Sequence, residues 1–171
     1  MNLNVEFSDL TFDNKKRTPQ EFLEIANQLR KDIINSLLLA KSGHSGGPLG
    51  ASDFMSVLFF GGYMYYDSKN PNLPDRDRFV LSAGHMAPVL YSVLARAGYF
   101  STQELSTLRK YGSRLQGHPG LDVGLPGIET ASGSLGQGVS IAVGMAMSDK
   151  LIDKNNRKVF SLTGDGELQE G

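Results

Sequence analysis

Two short apolar runs of this chain each break directly into a glycine turn that carries a polar residue. Arg78-Phe-Val-Leu-Ser82 runs into Ala83-Gly84-His85, and Lys158-Val-Phe-Ser-Leu-Thr163 runs into Gly164-Asp165-Gly166. Short apolar runs bounded by turn residues read as buried strands. Helical patterns fill the sequence around and between them. Strands that alternate with helices imply a parallel sheet, so the expected fold class is α/β, a parallel sheet flanked by helices. In such sheets ligands bind beyond the carboxyl ends of the strands. His85 and Asp165 both fall at such ends.

The helical segments are marked by capping chemistry and period. Thr18-Pro19-Gln20-Glu21 is a capping box, in which hydroxyl and carboxylate satisfy orphan backbone amides. Phe22, Ile25, Ala26, Leu29, Ile33 and Leu37 then recur at helical spacing, which predicts a helix over 19–41 with Gly43 as its terminator. A second helix is expected over 51–65, capped by Ser52 or Asp53. It is apolar nearly all round (Phe54, Met55, Val57, Leu58, Phe59, Phe60) and therefore buried. Residues 87–98 return to helix, and Ser101-Thr-Gln-Glu104 is a second capping box that opens a short helix to Lys110. Residues 111–133 are glycine-rich and aperiodic, the mark of a functional or disordered loop. Residues 136–151 read as helix, with small Gly138, Ala142, Gly144 and Ala146 that let backbones pack closely. Residues 1–18 read as an extended arm, and 19–171 as a single domain.

Length and charge exclude several classes. A domain of 171 residues buries about 70% of its unfolded surface and needs no staples. The 17 basic and 18 acidic residues form no basic stripe for nucleic acid and no polybasic run for a membrane surface. The first eighteen residues are polar, with Glu6, Asp9 and Asp13, and lack the apolar core of a signal peptide. No apolar run approaches the roughly 20 residues that span a bilayer. There is no cysteine, hence no disulfide and no thiolate metal site. Neither a nucleic-acid nor a membrane partner is expected, and the expected location is cytoplasmic.

The polar chemistry gathers in the glycine loops. All three histidines lie there: His44 in Ser42-Gly-His-Ser-Gly-Gly-Pro48, His85 after the first strand, and His118 in Leu115-Gln-Gly-His-Pro-Gly120. Each alone is equally a hydrogen-bonded loop residue, but imidazoles also shuttle protons near neutral pH. Gly164-Asp165-Gly166 offers amides to a phosphate and a carboxylate to a divalent cation, although such a motif alone is more often a tight turn with a solvated aspartate. Glu167 and Glu170 are either further acidic site residues or a solvated helix start favoured by the dipole. Ser132-Gly-Ser-Leu-Gly-Gln-Gly138 ahead of a helix fits a phosphate-cradling turn or close helix packing. There is no P-loop, and no strand-borne Gly-x-Gly-x-x-Gly near the start.

Taken in order, these segments resemble the amino-terminal, diphosphate-binding part of the transketolase family. The matching blocks are Ser42-Gly-His-Ser-Gly-Gly-Pro-Leu-Gly50, Asp75-Arg-Asp-Arg-Phe-Val-Leu-Ser-Ala-Gly-His85, Gln116-Gly-His-Pro119, Gly133-Ser-Leu-Gly-Gln-Gly138 with Val143-Gly-Met-Ala146, and Gly164-Asp-Gly-Glu-Leu-Gln-Glu-Gly171. They span 20–171 in the family's order. The resemblance is to the amino-terminal chain of the transketolases that some bacteria encode as two chains.

The resemblance implies a thiamine-diphosphate-binding fold, incomplete at its carboxyl end. It implies thiamine diphosphate with Mg²⁺ or Ca²⁺ as cofactors, and transfer of a two-carbon ketol unit from a ketose phosphate to an aldose phosphate. Asp165 matches a metal ligand, and Gly164 and Gly166 match the turn against the diphosphate. His44, His85 and His118 match active-site histidines, His85 also touching the cofactor. Gly133 and Leu135 match residues that hold the cofactor bent, and Glu170 matches an acidic residue at a subunit interface. The implied partner is a carboxyl-terminal subunit with the pyrimidine-binding domain, in a dimer or a dimer of heterodimers. The family's second metal ligand and its activating glutamate lie downstream of the Gly-Asp-Gly motif, so the chain alone is expected to be inactive. Two other readings fit the same turns: a deoxyxylulose-phosphate synthase-like or other thiamine-diphosphate enzyme, and a non-catalytic partner that keeps the fold.

Overall fold

The computed structural model describes residues 5–170. The first four residues of the expected arm, and Gly171 of the last motif, lie outside the described residues.

The first helix, α1 (Pro19–Ala40), starts where its capping box places it. Thr18 Oγ1 accepts from the Glu21 amide at 3.4 Å, and a Glu21 carboxylate oxygen accepts from the Thr18 amide at 2.8 Å. Its end differs from the expectation. Lys41, not Gly43, takes the left-handed cap conformation, at φ 53°. Gly43 instead holds a positive φ of 124°, which L side chains rarely adopt.

The second helix, α2 (Gly46–Phe60), begins before residue 51 and stops before residue 65. Pro48 falls within the first turn, where its missing N–H forfeits no helical bond. Ser52 is consequently an interior residue, and its hydroxyl donates to the Pro48 carbonyl at 3.0 Å. The earlier start puts His44 directly ahead of a helix amino terminus. Met55, Leu58, Phe59 and Phe60 are buried, but Phe54 is 50% exposed, so the helix is not buried all round.

Strands β1 (Arg78–Leu81) and β2 (Val159–Leu162) pair in parallel, with Arg78 opposite Val159 and Leu81 opposite Leu162. Phe79, Val80 and Leu81 are buried. The second strand is half-buried instead of fully buried, because among the described residues it has a neighbour on one side only. A 3-10 turn over Gly84–Met86 leads from β1 into α3 (Ala87–Arg96), which is buried along its whole length. The core forms where α3 meets α1, α2 and β1: Ile25, Leu29, Ile33, Phe59, Phe60, Val89 and Val93 pack there.

Residues 102–107 form the expected short helix, with 3-10 geometry and an end before Lys110. Ser101 does cap it, accepting from the Gln103 amide at 3.3 Å. The Glu104 carboxylate, which would complete a capping box, instead pairs with Arg114 at 2.8 Å. That pair ties down the start of the long 111–133 loop. Buried Leu115 and Leu125 anchor the loop to the core, and the Tyr91 hydroxyl donates to the Gln116 carbonyl at 3.0 Å. The loop is therefore ordered without secondary structure. The last helix, α4 (Gln137–Leu151), packs on β2 and β1 through Gly138 and Ala142. Among the described residues no helix is long and apolar enough to cross a membrane.

One buried ion pair fastens the amino-terminal segment to this core. Arg96 donates to both Asp32 carboxylate oxygens at 2.7 Å, and both residues are almost fully buried. Its remaining nitrogen donates to the Ser8 and Leu10 carbonyls at 2.8 and 2.6 Å. Removing one partner strands the other charge in a dry interior. Asp32→Ala is expected to cost about 3–5 kcal/mol, read from the midpoint of a urea unfolding curve. A cost within the range of a surface pair, below about 1 kcal/mol, would contradict this role.

Candidate functional site

The two strands deliver their carboxyl ends to the same place. The Ser82 amide donates to the Leu162 carbonyl at 3.0 Å, which sets the Ser82–His85 turn beside the Thr163–Gly166 turn. The 131–138 segment closes on both. A Cβ on Gly84 would lie 2.6 Å from the Ser132 carbonyl carbon, and one on Gly138 would lie 2.5 Å from the Ser82 Cα. Neither backbone approach leaves room for a larger residue.

The three histidines converge. His44, just before α2, and His85, in the 3-10 turn after β1, have ring centroids 5.3 Å apart at 62°. The His118 ring comes within 3.5 Å of where a Gly133 Cβ would stand. His118 is exposed by area, yet partial desolvation in its loop holds its pKa below the ordinary imidazole value, and the charges of His44, His85 and Arg109 push the same way. Arg109 is a site residue that sequence reasoning missed. Its Cδ lies 3.8 Å from the Cβ position of Gly43, and Nη1 lies 2.8 Å from that of Gly117. The side chain thus bridges the loops that carry His44 and His118. It takes a left-handed backbone at φ 58°, uncommon for a non-glycine residue. Arg109 falls at the end of the short helix expected to Lys110, where nothing in the sequence marks it as a site residue.

Asp165 is exposed on the turn after β2. Glu167, two residues later, is 4% exposed and is not the solvated helix start that the sequence also allowed. One of its oxygens accepts from the Ser82 hydroxyl and from the Gly136 amide at 3.0 Å; the other accepts from the Gly164 amide at 3.1 Å. Burial pushes its pKa up, but these donors and the nearby His85 outweigh it and hold the carboxyl below its usual range. Glu170 is exposed. Leu135 is half-buried against the main core. Gly133 lines a cleft of about 260 Å³ with Ala131, Ser132, Ser134, Gln137 and Gly138. Ser132 Oγ is buried and has no hydrogen-bond partner.

The donor set suits a polyphosphate with a hard cation. Glycine turns bring backbone amides close to an anion, the unpartnered Ser132 hydroxyl can donate to it, and an exposed carboxylate can ligate a divalent metal. Among the described residues no group of three or more His, Asp or Glu is placed to hold a metal. Asp165 would therefore need ligands from elsewhere. A separate apolar groove of about 430 Å³ between α1 and α2, lined by Phe22, Leu23 and Val57, contains none of these groups.

Residues 21–171 match the family model described as transketolase, thiamine diphosphate binding domain. Human transketolase is 46% identical over 152 residues, covering 89% of this chain and 24% of its own length. Transketolase of Rhodobacter capsulatus is 40% identical over 166 residues, covering 92% and 24%. The crystal structure of Campylobacter jejuni transketolase superposes with a TM-score of 0.81 at 39% identity, covering 91% of this chain and 25% of that one. A Pichia stipitis transketolase in complex with sedoheptulose-7-phosphate gives 0.83 at 32%, covering 88% and 23%. Fold and glycine turns together define an α/β domain of the diphosphate-binding class. The chain belongs to the transketolase thiamine diphosphate binding domain family. It spans about 24% of the length of the curated relatives that it matches.

The histidine cluster makes a direct prediction. A lowered pKa means that the proton leaves at lower pH, so His118 is expected to be more than half neutral at pH 6.5. Its imidazole signals in an NMR titration should give a midpoint below the roughly 6.5 of a free histidine, and Arg109→Met should move that midpoint upward. A midpoint at or above the free value would contradict the arrangement.

Proposed function

We propose that this chain forms the diphosphate-binding part of a transketolase that moves a two-carbon ketol unit from a ketose phosphate to an aldose phosphate. The observation that carries the proposal is the clustering of His44, His85 and His118 beyond β1, whose following residue Ser82 is hydrogen-bonded to Leu162 of β2, two residues ahead of the Gly164-Asp165-Gly166 turn. Asp165 would ligate Mg²⁺ or Ca²⁺, while Gly164 and Gly166 would face the diphosphate. Gly133, Leu135 and His85 would contact the rest of the cofactor. Bound thiamine diphosphate supplies the electron sink for breaking the carbon–carbon bond.

The histidines do the protein's share at the sugar. His118, mostly neutral near pH 7, has a ring nitrogen free to accept a proton from a donor hydroxyl. His44 and His85 stand close enough to each other to orient neighbouring hydroxyls on one substrate. The lone Asp165 carboxylate, and relatives far longer than this chain, favour a site completed by other protein. We assign that contribution to a partner subunit with the pyrimidine-binding domain, in a dimer or dimer of heterodimers in the cytoplasm. The chain by itself would then be inactive.

The test is turnover by the assembled enzyme, with a ketose phosphate donor and an aldose phosphate acceptor, with and without thiamine diphosphate and Mg²⁺. Cofactor-dependent ketol transfer is expected. Asp165→Asn should weaken metal-dependent cofactor retention by at least about 10–100-fold, the range that even indirect partners of a metal command. Turnover of pyruvate in place of the ketose phosphate, or an Asp165→Asn enzyme with full activity, would refute the assignment.

A further inference from the structure

We propose that Glu167 is a positioning residue that sets the shape of the diphosphate cradle from below. The proposal rests on the cofactor reading above. The carboxylate is buried beneath the site, and all the donors it meets belong to the segments that form the site's walls. Ser82 follows β1 and leads to His85. Gly136 precedes α4 and follows the Gly133–Leu135 turn. Gly164 opens the turn that carries Asp165.

The geometry is that of a clamp. Glu167 Oε1 holds the Gly136 amide at 3.0 Å together with the Ser82 hydroxyl, and Oε2 holds the Gly164 amide at 3.1 Å. One rigid carboxylate thereby fixes the separation of two glycine turns that are 28 residues apart in sequence (164 − 136). Both turns are held mainly through their backbone. Gly136 stands at φ 83°, a conformation open to glycine at little cost, and a Cβ on Gly166 would meet nothing within 4 Å. Gly136 packs against the Glu170 side chain, 3.0 Å from its Cβ position, but that contact supplies no acceptor for the Gly136 amide. With Glu167 at 4% exposure, bulk water does not replace its hydrogen bonds either.

Charge explains why the residue is an acid and not an amide. A carboxylate accepts at both oxygens, so it satisfies two amides and a hydroxyl at once. Glutamine accepts at one oxygen and presents an N–H₂ at the other end, which would face one of the amides donor to donor. Hydrogen bonds to an ionised acceptor are also about twice as strong as neutral ones. Placed under the Asp165 turn, the negative charge further favours a divalent cation held above it.

The experiment compares wild type, Glu167→Gln and Glu167→Ala in the complete enzyme purified with all its chains. Calorimetric titration with thiamine diphosphate in saturating Mg²⁺ gives the affinity, an unfolding curve gives the melting temperature, and turnover is measured at saturating cofactor. The expected result is a 10–100-fold weaker affinity for Glu167→Ala and an intermediate loss for Glu167→Gln, with turnover largely restored once cofactor saturates. A purely structural residue would lower the melting temperature and leave affinity intact. Wild-type affinity in a folded variant overturns the proposal, and Glu167→Gln carries the comparison if Glu167→Ala does not fold. A wild-type enzyme that binds no thiamine diphosphate overturns the cofactor reading as well, which separates that failure from the failure of this inference alone.

Discussion

The Glu167 carboxylate joins the end of β1, the start of α4 and the turn after β2, segments that the sequence keeps far apart. A buried anion is stable only if donors satisfy it. Here the donors are backbone amides of glycine turns and one serine hydroxyl, so the demand of the carboxylate becomes a constraint on loop geometry. His44, His85, His118 and Asp165 come from loops with little secondary structure of their own. Their relative placement follows from the way these loops are tied to the strand ends.

A second buried charge works at the opposite end of the core. Arg96 is enclosed by Asp32 and by the Ser8 and Leu10 carbonyls, which binds the amino-terminal segment to α1 and α3. The Arg96 pair holds α3 in place, and α3 follows directly from the turn that carries His85. Rigidity thus passes from the buried pair through α3 to the site. Glycine contributes by absence: without a Cβ at Gly84 and Gly138, the 131–138 segment lies directly on the end of β1.

Much of this was legible from residues alone. The capping box at Thr18 placed the start of α1, and the apolar runs before Gly84-His85 and Gly164-Asp165-Gly166 placed both strands and their parallel relation. The glycine loops pointed to the histidines. The borders of α2 were not legible, because Pro48 reads as a breaker although a helix tolerates it in the first turn. The 3-10 geometry after Ser101 was hidden because Glu104 had two possible partners, the cap and Arg114, and only folding chooses between them. Glu167 carried the weakest signal relative to its place in the structure. An acid directly after a Gly-Asp-Gly turn looks solvated, and its burial depends on donors 31 and 85 residues away. Arg109 lay at the end of an expected short helix, and its reach to the His44 and His118 loops had no local signal.

The most direct test is a crystal structure of the complete enzyme grown with thiamine diphosphate and Mg²⁺. The diphosphate is expected against the Gly164–Gly166 turn, the cation on Asp165, and Glu167 still accepting from Gly136 and Gly164 beneath them. Cofactor bound elsewhere, or a Glu167 side chain swung out to ligate the metal itself, would contradict the cradle and its clamp.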